Sequence, residues 1–168
     1  MSSSCRSWGN TDSNRVTNTG ELHPEELFLS PASGKVLRLG AGGRNVTIFM
    51  HLHNVHLTTS PLDGVVNRII PERGVFKPAF VRSADSNTKN TIVLDTAHGE
   101  IRVVQIAGFF TRKIICEVKV GQSVKKGERL GKICFGSRVD VTIPDGFALL
   151  VKPGSRVKYR KTPIALKR

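Results

Sequence analysis

A Gly-Ser pair between two predicted strands is the part of this sequence best suited to chemistry. The stretch is Phe135-Gly136-Ser137-Arg138. Gly-Ser between strands most often forms a hairpin turn. The pair also suits self-cleavage, because glycine lets the backbone reach a geometry in which the serine hydroxyl attacks the preceding carbonyl. Elimination from the resulting ester, followed by hydrolysis, would convert Ser137 to a pyruvoyl group. Its keto carbon forms a Schiff base with an amine and then acts as an electron sink.

Three histidines form a second group of chemically capable residues, at His51, His53 and His56. On a continuous strand, His51 and His53 would share one face and His56 would lie on the other. His-x-His with a third histidine is one pattern of a metal site, but no Asp, Glu or Cys completes it nearby. Ordinary core or surface histidines are the alternative. We predict no metal site.

The elements that must position these residues are predicted to be short strands. No window has a sustained 3.6-residue apolar period, and the best helical stretch, around Pro24 to Leu29, is weak. We therefore predict a mainly β fold, an antiparallel barrel or barrel-sandwich hybrid with few short helices. The strand candidates are rich in β-branched residues and have turn-forming residues close by; they are Lys35–Leu39, Asn45–Met50, Gly64–Ile70, Thr91–Asp95, Glu100–Ala107, Lys113–Val120, Arg129–Phe135, Arg138–Ile143 and Ala148–Lys152.

Weak internal repeats support the same architecture. Ser30–Val36 and Ser60–Val66 share the pattern Ser-Pro-x-x-Gly-x-Val. The segment Val118–Ile133 resembles the barrel-sandwich hybrid of lipoyl and biotinyl carrier domains, but the predicted tip that follows has no lysine to carry a cofactor. Between Pro71 and Asn90 lies a long aperiodic segment, which we expect to be a lid or a binding loop.

Length and composition favour one soluble or peripheral domain with an anionic partner. We predict a flexible arm over residues 1–24, rich in Ser, Asn, Thr and Gly, and a single domain over 25–168. Twenty-six Lys and Arg against 13 Asp and Glu give a net charge of +13. That charge favours nucleic acid or acidic lipid as partner. Three cysteines argue against a disulfide framework, and no apolar run is long enough to predict a membrane-spanning helix.

Several segments resemble a known family. Gly108–Pro144, which contains Gly-Ser followed by Arg-Val-Asp-Val, closely resembles the processing region of the short, archaeal-type phosphatidylserine decarboxylases. The segments Phe49–Val66, Gly74–Phe80 and Val93–Gly108 match the same family, and the resemblance extends over about 27–153.

The resemblance implies a proenzyme that cuts itself between Gly136 and Ser137. The products would be a larger chain, 1–136, and a smaller chain, 137–168, held together as a heterodimer. Ser137 would become the covalent pyruvoyl cofactor that forms the Schiff base with the substrate. His56, in the motif Asn54-Val55-His56, would be the acid/base group toward Ser137 or the substrate.

The resemblance also implies the substrate and the location. The substrate would be a serine phospholipid, phosphatidylserine or archaetidylserine, which loses carbon dioxide to give the ethanolamine phospholipid. The protein would lie on the cytoplasmic side of the cell membrane, bound peripherally. Its partners would be the lipid and the membrane surface, with no nucleic acid. Phe76, Phe80, Phe109 and Phe110 are candidates to contact lipid chains, although core packing is expected for at least two of them.

The sequence departs from the family at positions that bear on this function. Ser33 stands where the family has an Asp that orients a histidine, and a serine supplies no charge to stabilise an imidazolium. Asp63, Asp95 or Asp140 could replace that acid in space. Thr58-Thr59 stand in place of Asn-Arg, and Asn87-Thr88-Lys89-Asn90 lacks the family's Glu. These departures favour the alternative, an uncleaved and non-catalytic barrel-sandwich module that binds anionic surfaces.

The C-terminal segment Lys152–Arg168 is strongly basic and has no acidic residue. A solvated, partly disordered end is one interpretation. Attraction to anionic lipid is the other, where each basic residue near the surface contributes about 1 kcal/mol. A nucleic-acid-binding β-barrel is supported by charge alone, because Tyr159 is the only aromatic residue of this segment.

Overall fold

The fold is made almost entirely of strands. The computed structural model describes residues 23–51, 56–75, 77–80, 82–108, 113–133 and 136–168. Helical structure in these residues is confined to three 3-10 turns, at Pro24–Glu26, Ala41–Gly43 and Arg82–Ser86. The strands are β1 (Leu27–Leu29), β2 (Gly34–Leu39), β3 (Asn45–Met50), β4 (Leu57–Thr59), β5 (Gly64–Glu72), β6 (Lys89–Thr96), β7 (Gly99–Ile106), β8 (Ile114–Cys116), β9 (Ser123–Val124), β10 (Arg129–Ile133), β11 (Ser137–Thr142), β12 (Phe147–Leu149), β13 (Arg156–Val157) and β14 (Pro163–Lys167).

The strands form one large antiparallel sheet and two small ones. The large sheet has the order β13-β2-β3-β11-β7-β6-β5-β9 and curls strongly into a half-barrel. The small sheets have the orders β1-β14-β12 and β4-β10-β8. The apolar side chains enclosed by these sheets form one core, which includes Phe28, Ile48, Leu94, Ile101 and Val139. The predicted fold class is confirmed.

The two Ser-Pro-x-x-Gly-x-Val repeats form equivalent structures. Each serine hydroxyl donates to the carbonyl two residues later, Ser30 to Ala32 (2.7 Å) and Ser60 to Leu62 (2.6 Å). The repeats also bond to each other reciprocally. The Leu29 N–H donates to the Pro61 carbonyl (3.2 Å) and the Thr59 N–H to the Pro31 carbonyl (2.8 Å). The weak sequence repeat therefore marks a local two-fold relation at the base of the half-barrel.

Most strand predictions were right in position, and the errors fall in short or terminal segments. The predicted strand Lys113–Val120 is reduced to Ile114–Cys116. The weak helical stretch around Pro24 was wrong, because only one 3-10 turn forms before β1 begins at Leu27. Segment 71–90 contains the end of β5, a 3-10 turn and the start of β6, so its loop is shorter than predicted.

The basic C-terminal segment is ordered into strands. Both β13 and β14 lie in it, and Val157, Ile164 and Ala165 are buried while the basic residues point outward. The interpretation as a partly disordered end was therefore wrong. Residues 1–22 of the predicted arm lie outside the described part of the chain. No helix within the described ranges is long and apolar enough to cross a membrane.

Candidate active site

Ser137 begins the central strand of the large sheet. It is fully buried and pairs with Met50 of β3, while the next residue of β11 pairs with Ile106 of β7. Alternation along the strand places Ser137, Val139 and Val141 on one face. Because its strand has a neighbour on each side, Ser137 is fixed in position before any chemistry occurs.

His56 contacts the hydroxyl of Ser137. The distance from His56 Nδ1 to Ser137 Oγ is 3.3 Å. His56 directly precedes β4, and its own carbonyl accepts a hydrogen bond from the Ile133 N–H (3.0 Å), near the end of β10. Two predicted site residues that are 81 positions apart in the sequence are therefore adjacent in space. With Nδ1 unprotonated, the hydroxyl donates to it, and His56 is placed to accept the proton of Ser137.

The peptide bond before Ser137 is held in a conformation that requires two glycines. Gly136 has φ of +57°, in the left-handed region where a side chain is strained. Its carbonyl oxygen lies against Gly108, where an added Cβ would be 1.8 Å from that oxygen. Gly108 thus leaves the space into which the Gly136 carbonyl turns. The carbonyl that a Ser137 hydroxyl would attack is the one that these glycines position.

Ser33 has a different role from the acid that the family resemblance placed there. Its hydroxyl accepts a hydrogen bond from the Tyr159 N–H (3.0 Å). In the second repeat the equivalent residue, Asp63, accepts from the Lys126 N–H (2.5 Å). Ser33 and Asp63 therefore cap equivalent turns. A serine hydroxyl is sufficient for this capping contact.

The three acids considered as replacements have contacts or positions of their own in the structure. Asp63 caps its turn, and Asp95 is exposed on β6. Asp140 accepts a hydrogen bond from the Arg138 guanidinium (2.9 Å). It lies three residues after Ser137 on β11, so its side chain is on the opposite face of the strand.

A chain of buried polar side chains crosses the core next to Ser137. Asn90 Nδ2 donates to Gln105 Oε1 (3.2 Å), and Gln105 Nε2 donates to Thr58 Oγ1 (3.3 Å). Thr58 lies two residues after His56, and Gln105 pairs with Val139, two residues after Ser137. The chain therefore ties β4, which His56 directly precedes, to the sheet that carries Ser137. Gln105 was missed from the sequence, where it is one polar residue within an apolar strand.

Arg138 anchors the 71–90 segment over the outer face of the sheet. Its guanidinium is buried with 1% of the side chain exposed, and it pairs with Asp85 and Asp140. Asp85 lies in the 3-10 turn Arg82–Ser86 and also accepts a hydrogen bond from Arg38 (3.0 Å). Nearby, the Asn87 side chain bonds to Lys77 and to the Ala107 carbonyl (2.8 Å), beside Gly108. The segment is therefore tied to β11 directly after Ser137, to β2, and to the residue before Gly108.

The ion pairs of Asp85 predict a loss of stability in acid. Partial burial alone would raise the pKa of Asp85, but the Arg138 and Arg38 guanidiniums outweigh it and lower the pKa below the usual 3.8. A lowered folded-state pKa stabilises the fold above 3.8, and that stabilisation is lost as pH falls through the folded value. We expect Asp85→Asn to reduce the free energy of unfolding at pH 7, with a difference from the parent that shrinks below pH 4.

Urea denaturation of both proteins at several pH values, in a Ser137→Ala background, measures this difference. Asp140→Asn is the matched control. Burial raises the pKa of Asp140, with Arg138 opposing it, so its contribution has the opposite trend with pH. A difference for Asp85→Asn that stays constant from pH 7 to pH 3 would contradict the ion-pair account.

The remaining predicted residues are only partly described. His51 lies directly after β3 and packs its ring on Phe49 (4.7 Å between centroids), whereas His53 lies outside the described residues. No cluster of three potential metal ligands occurs among the residues whose placement is described. Phe80 is 61% exposed, which excludes core packing for it, and Phe76, Phe109 and Phe110 fall outside the described ranges.

This all-β scaffold buries a serine hydroxyl beside a histidine, directly after a left-handed glycine. The sequence matches the family model for phosphatidylserine decarboxylase over residues 8–165. It is 42% identical over 144 residues to a putative archaetidylserine decarboxylase proenzyme of Methanococcoides burtonii, a match covering 86% of this chain and 68% of that protein. The chain belongs to the phosphatidylserine decarboxylase family, which consists of carboxy-lyases.

Bacterial and other archaeal relatives agree with this assignment. A phosphatidylserine decarboxylase proenzyme of Pelodictyon phaeoclathratiforme is 38% identical over 153 residues, covering 84% of this chain and 72% of that protein. A putative archaetidylserine decarboxylase proenzyme of Methanothermobacter thermautotrophicus is 37% identical over 162 residues, with coverage of 84% and 73%. The family resemblance and the enzyme class predicted from the sequence are confirmed.

Proposed function

We propose that this chain is a proenzyme that cleaves itself between Gly136 and Ser137 and then decarboxylates a serine phospholipid. The observation that carries the proposal is the 3.3 Å contact between His56 Nδ1 and the buried Ser137 Oγ. The left-handed Gly136, with its carbonyl turned against Gly108, supports it. The relatives' names, phosphatidylserine and archaetidylserine decarboxylase proenzymes, indicate the same substrates and the same need for processing.

The proposed cleavage needs only groups of this chain and one water. His56 accepts the proton of the Ser137 hydroxyl while Oγ bonds to the Gly136 carbonyl carbon. The Gly136–Ser137 C–N bond breaks as His56 passes that proton to the leaving nitrogen, which leaves an ester and a free amine on residue 137. Loss of the Ser137 α-proton eliminates the Gly136 carboxylate, which ends the larger chain, 1–136. The dehydroalanine that remains tautomerises and takes up water, releasing ammonia and leaving a pyruvoyl group at the start of the smaller chain, 137–168.

The surroundings of Ser137 fit such a group. The residue is enclosed between β3 and β7, and the Gly136 carbonyl, which the proposed cleavage would detach from it, occupies the adjacent space at Gly108. A pyruvoyl group supplies an electron sink for the loss of carbon dioxide from an amino acid headgroup. His56 is then placed to donate a proton to the substrate, and the apolar core beside Ser137 excludes water from it.

The proposed substrate is phosphatidylserine or archaetidylserine, and the product is the corresponding ethanolamine phospholipid. Because such a substrate lies in a bilayer, we place the protein at the periphery of the cell membrane, on the cytoplasmic side. The net charge of +13 supports association with an anionic surface. The cut chains would remain together as a heterodimer, since β11 pairs with β3 and β7 of the larger chain.

Intact-mass spectrometry of freshly purified protein tests the cleavage. Two chains broken between Gly136 and Ser137, with the smaller one carrying a pyruvoyl-blocked N-terminus, are expected. A single 18.4 kDa chain that persists on long incubation would contradict the proposal. The alternative, an uncleaved module that binds anionic surfaces, would then be favoured.

A further inference from the structure

A groove on the described surface is lined by charged side chains that are all cationic. It encloses about 970 Å³ beside the strand pair β13–β2. Its charged residues are exposed and take part in no ion pair among the described residues; they are Lys35, Arg156, Lys158, Arg160 and Lys161. Because no carboxylate of the described chain neutralises them, these cations are available to an external anion.

The turn that carries three of these cations is held rigidly. The Tyr159 N–H donates to Ser33 Oγ (3.0 Å), and the Arg160 N–H donates to the Ser30 carbonyl (3.1 Å). The Lys158 N–H donates to Thr162 Oγ1 (2.9 Å) and closes the turn. The groove is therefore formed before a ligand arrives, which reduces the entropy cost of binding.

Arg160 occupies a backbone position at which the equivalent turn of the second repeat has a glycine, Gly127. In the second repeat, the Gly127 N–H donates to the Ser60 carbonyl (2.7 Å), as the Arg160 N–H does to Ser30, and Gly127 has φ of +81°. Arg160 has φ of +64° and is the only non-glycine residue with positive φ in the described residues. The fold tolerates a strained arginine where glycine would fit without strain. Such strain is typical of positions kept for a functional side chain.

An exposed aromatic residue lies beyond the groove, in the direction of the active site. Phe80 packs edge-on against Phe49 (5.9 Å between centroids), and Phe49 packs against His51 at the groove (4.7 Å). Met50, between Phe49 and His51 in sequence, is the residue that pairs with Ser137. These contacts place the groove and the exposed Phe80 on the same side of the large sheet. Both are next to the end of β3 that lies beside Ser137.

We propose that this groove and Phe80 form the membrane-docking surface, in which the cations bind the phosphate groups of anionic phospholipids and Phe80 enters the apolar layer. Cations beside an exposed aromatic side chain match a lipid surface, where phosphates lie above hydrocarbon. Docking in this orientation brings the strand end beside Ser137 to the bilayer. The inference extends the proposed function, since its substrate is a lipid, but binding itself needs neither cleavage nor turnover.

Vesicle co-sedimentation of the whole chain tests the proposal, as purified and with Ser137→Ala. The vesicles are phosphatidylcholine, alone or mixed with phosphatidylglycerol, an anionic lipid that is not the substrate. We expect binding only to the anionic vesicles and roughly 100-fold weaker binding for Arg156→Gln/Lys158→Gln/Lys161→Gln. The control Lys119→Gln/Lys132→Gln/Lys167→Gln removes the same charge outside the groove and should retain most binding. Equal losses in both triple variants would overturn the proposal.

Two single variants test whether a change in vesicle binding comes from the docking surface or from altered stability or net charge. Arg160→Gly removes the positive-φ strain, so we expect an unchanged or higher melting temperature together with weaker vesicle binding. Phe80→Ser should weaken vesicle binding without changing net charge. Unchanged vesicle binding in both variants would overturn the proposal, as would tight binding to inorganic phosphate or to duplex DNA without binding to vesicles. Intact-mass spectrometry of the same samples reports cleavage separately, so a failure of docking is distinguishable from a failure of processing.

Discussion

Replacing His56 with glutamine is expected to stop self-cleavage almost completely. Glutamine can still donate a hydrogen bond to the Ser137 hydroxyl, which now lies 3.3 Å from His56 Nδ1, but it cannot take up the proton that attack on Gly136 releases. Loss of a positioned proton acceptor slows a reaction by roughly 100-fold to 10,000-fold. Intact-mass spectrometry over time should show His56→Gln as one uncut chain long after the parent is fully cut.

Two further variants test whether the effect of His56→Gln is specific to the Ser137 site. Ser137→Ala removes the nucleophile and should remain uncut indefinitely. His23→Ala removes an exposed histidine in the turn before β1 and should be cut at the parental rate. Circular dichroism of all the proteins checks that the fold is kept. Cleavage of His56→Gln at the parental rate would show that another group accepts the proton of Ser137.

Replacing Gly108 with alanine is expected to impair cleavage by a purely steric route. The new Cβ would lie 1.8 Å from the Gly136 carbonyl oxygen, so the carbonyl must turn away from its present position. A displacement of about 1 Å at a reacting centre costs roughly 100-fold in rate. We expect the cleavage half-time of Gly108→Ala to lengthen by about that factor, measured by the mass of the chain over time.

Gly64→Ala is the matched control for Gly108→Ala. Its Cβ would lie 2.6 Å from the Asp95 carbonyl oxygen, a milder clash of the same kind with a backbone carbonyl in the β5–β6 pair, three strands away from β11. The control should lose stability but cut at nearly the parental rate. If both variants are slowed equally, the effect of Gly108→Ala comes from general destabilisation and the steric account is wrong.

The longer strands could be predicted from sequence because their patterns are local. Asn45–Met50 is bounded as predicted, since its apolar, β-branched run is flanked by turn-forming residues. Leu57–Thr59 and Arg156–Val157 were missed, because two or three residues carry no periodicity and owe their conformation to partners far away in the chain. The basic C-terminal segment was wrongly interpreted as partly disordered for a related reason. Its buried residues, Val157 and Ile164, are too widely separated by cations to form a pattern.

The site divides in the same way. The Gly136-Ser137 pair suggested self-cleavage chemistry, but only the family resemblance favoured that over a hairpin turn, and His56 was identified only through the same resemblance. Gly108 carries no signal in sequence, because its role is to leave space for a carbonyl that is 28 positions away in the chain. Asp85 was hidden in an aperiodic loop, and its partner Arg138 is buried, which cannot be inferred for an arginine from composition.

Strands from before and after residue 137 alternate within the same sheets, and this arrangement affects how the protein recovers from unfolding. A cut before β11 gives a smaller chain that contributes to two sheets: β11 lies between β3 and β7, β13 pairs with β2, and β14 lies between β1 and β12. Folding of the intact chain is unimolecular, but recovery after the cut requires two separate molecules to meet and thread these strands together. Refolding therefore becomes dependent on concentration. If the proposed cut occurs, denaturation that is reversible in principle before it would afterwards be hard to reverse, and the protein would persist by unfolding slowly.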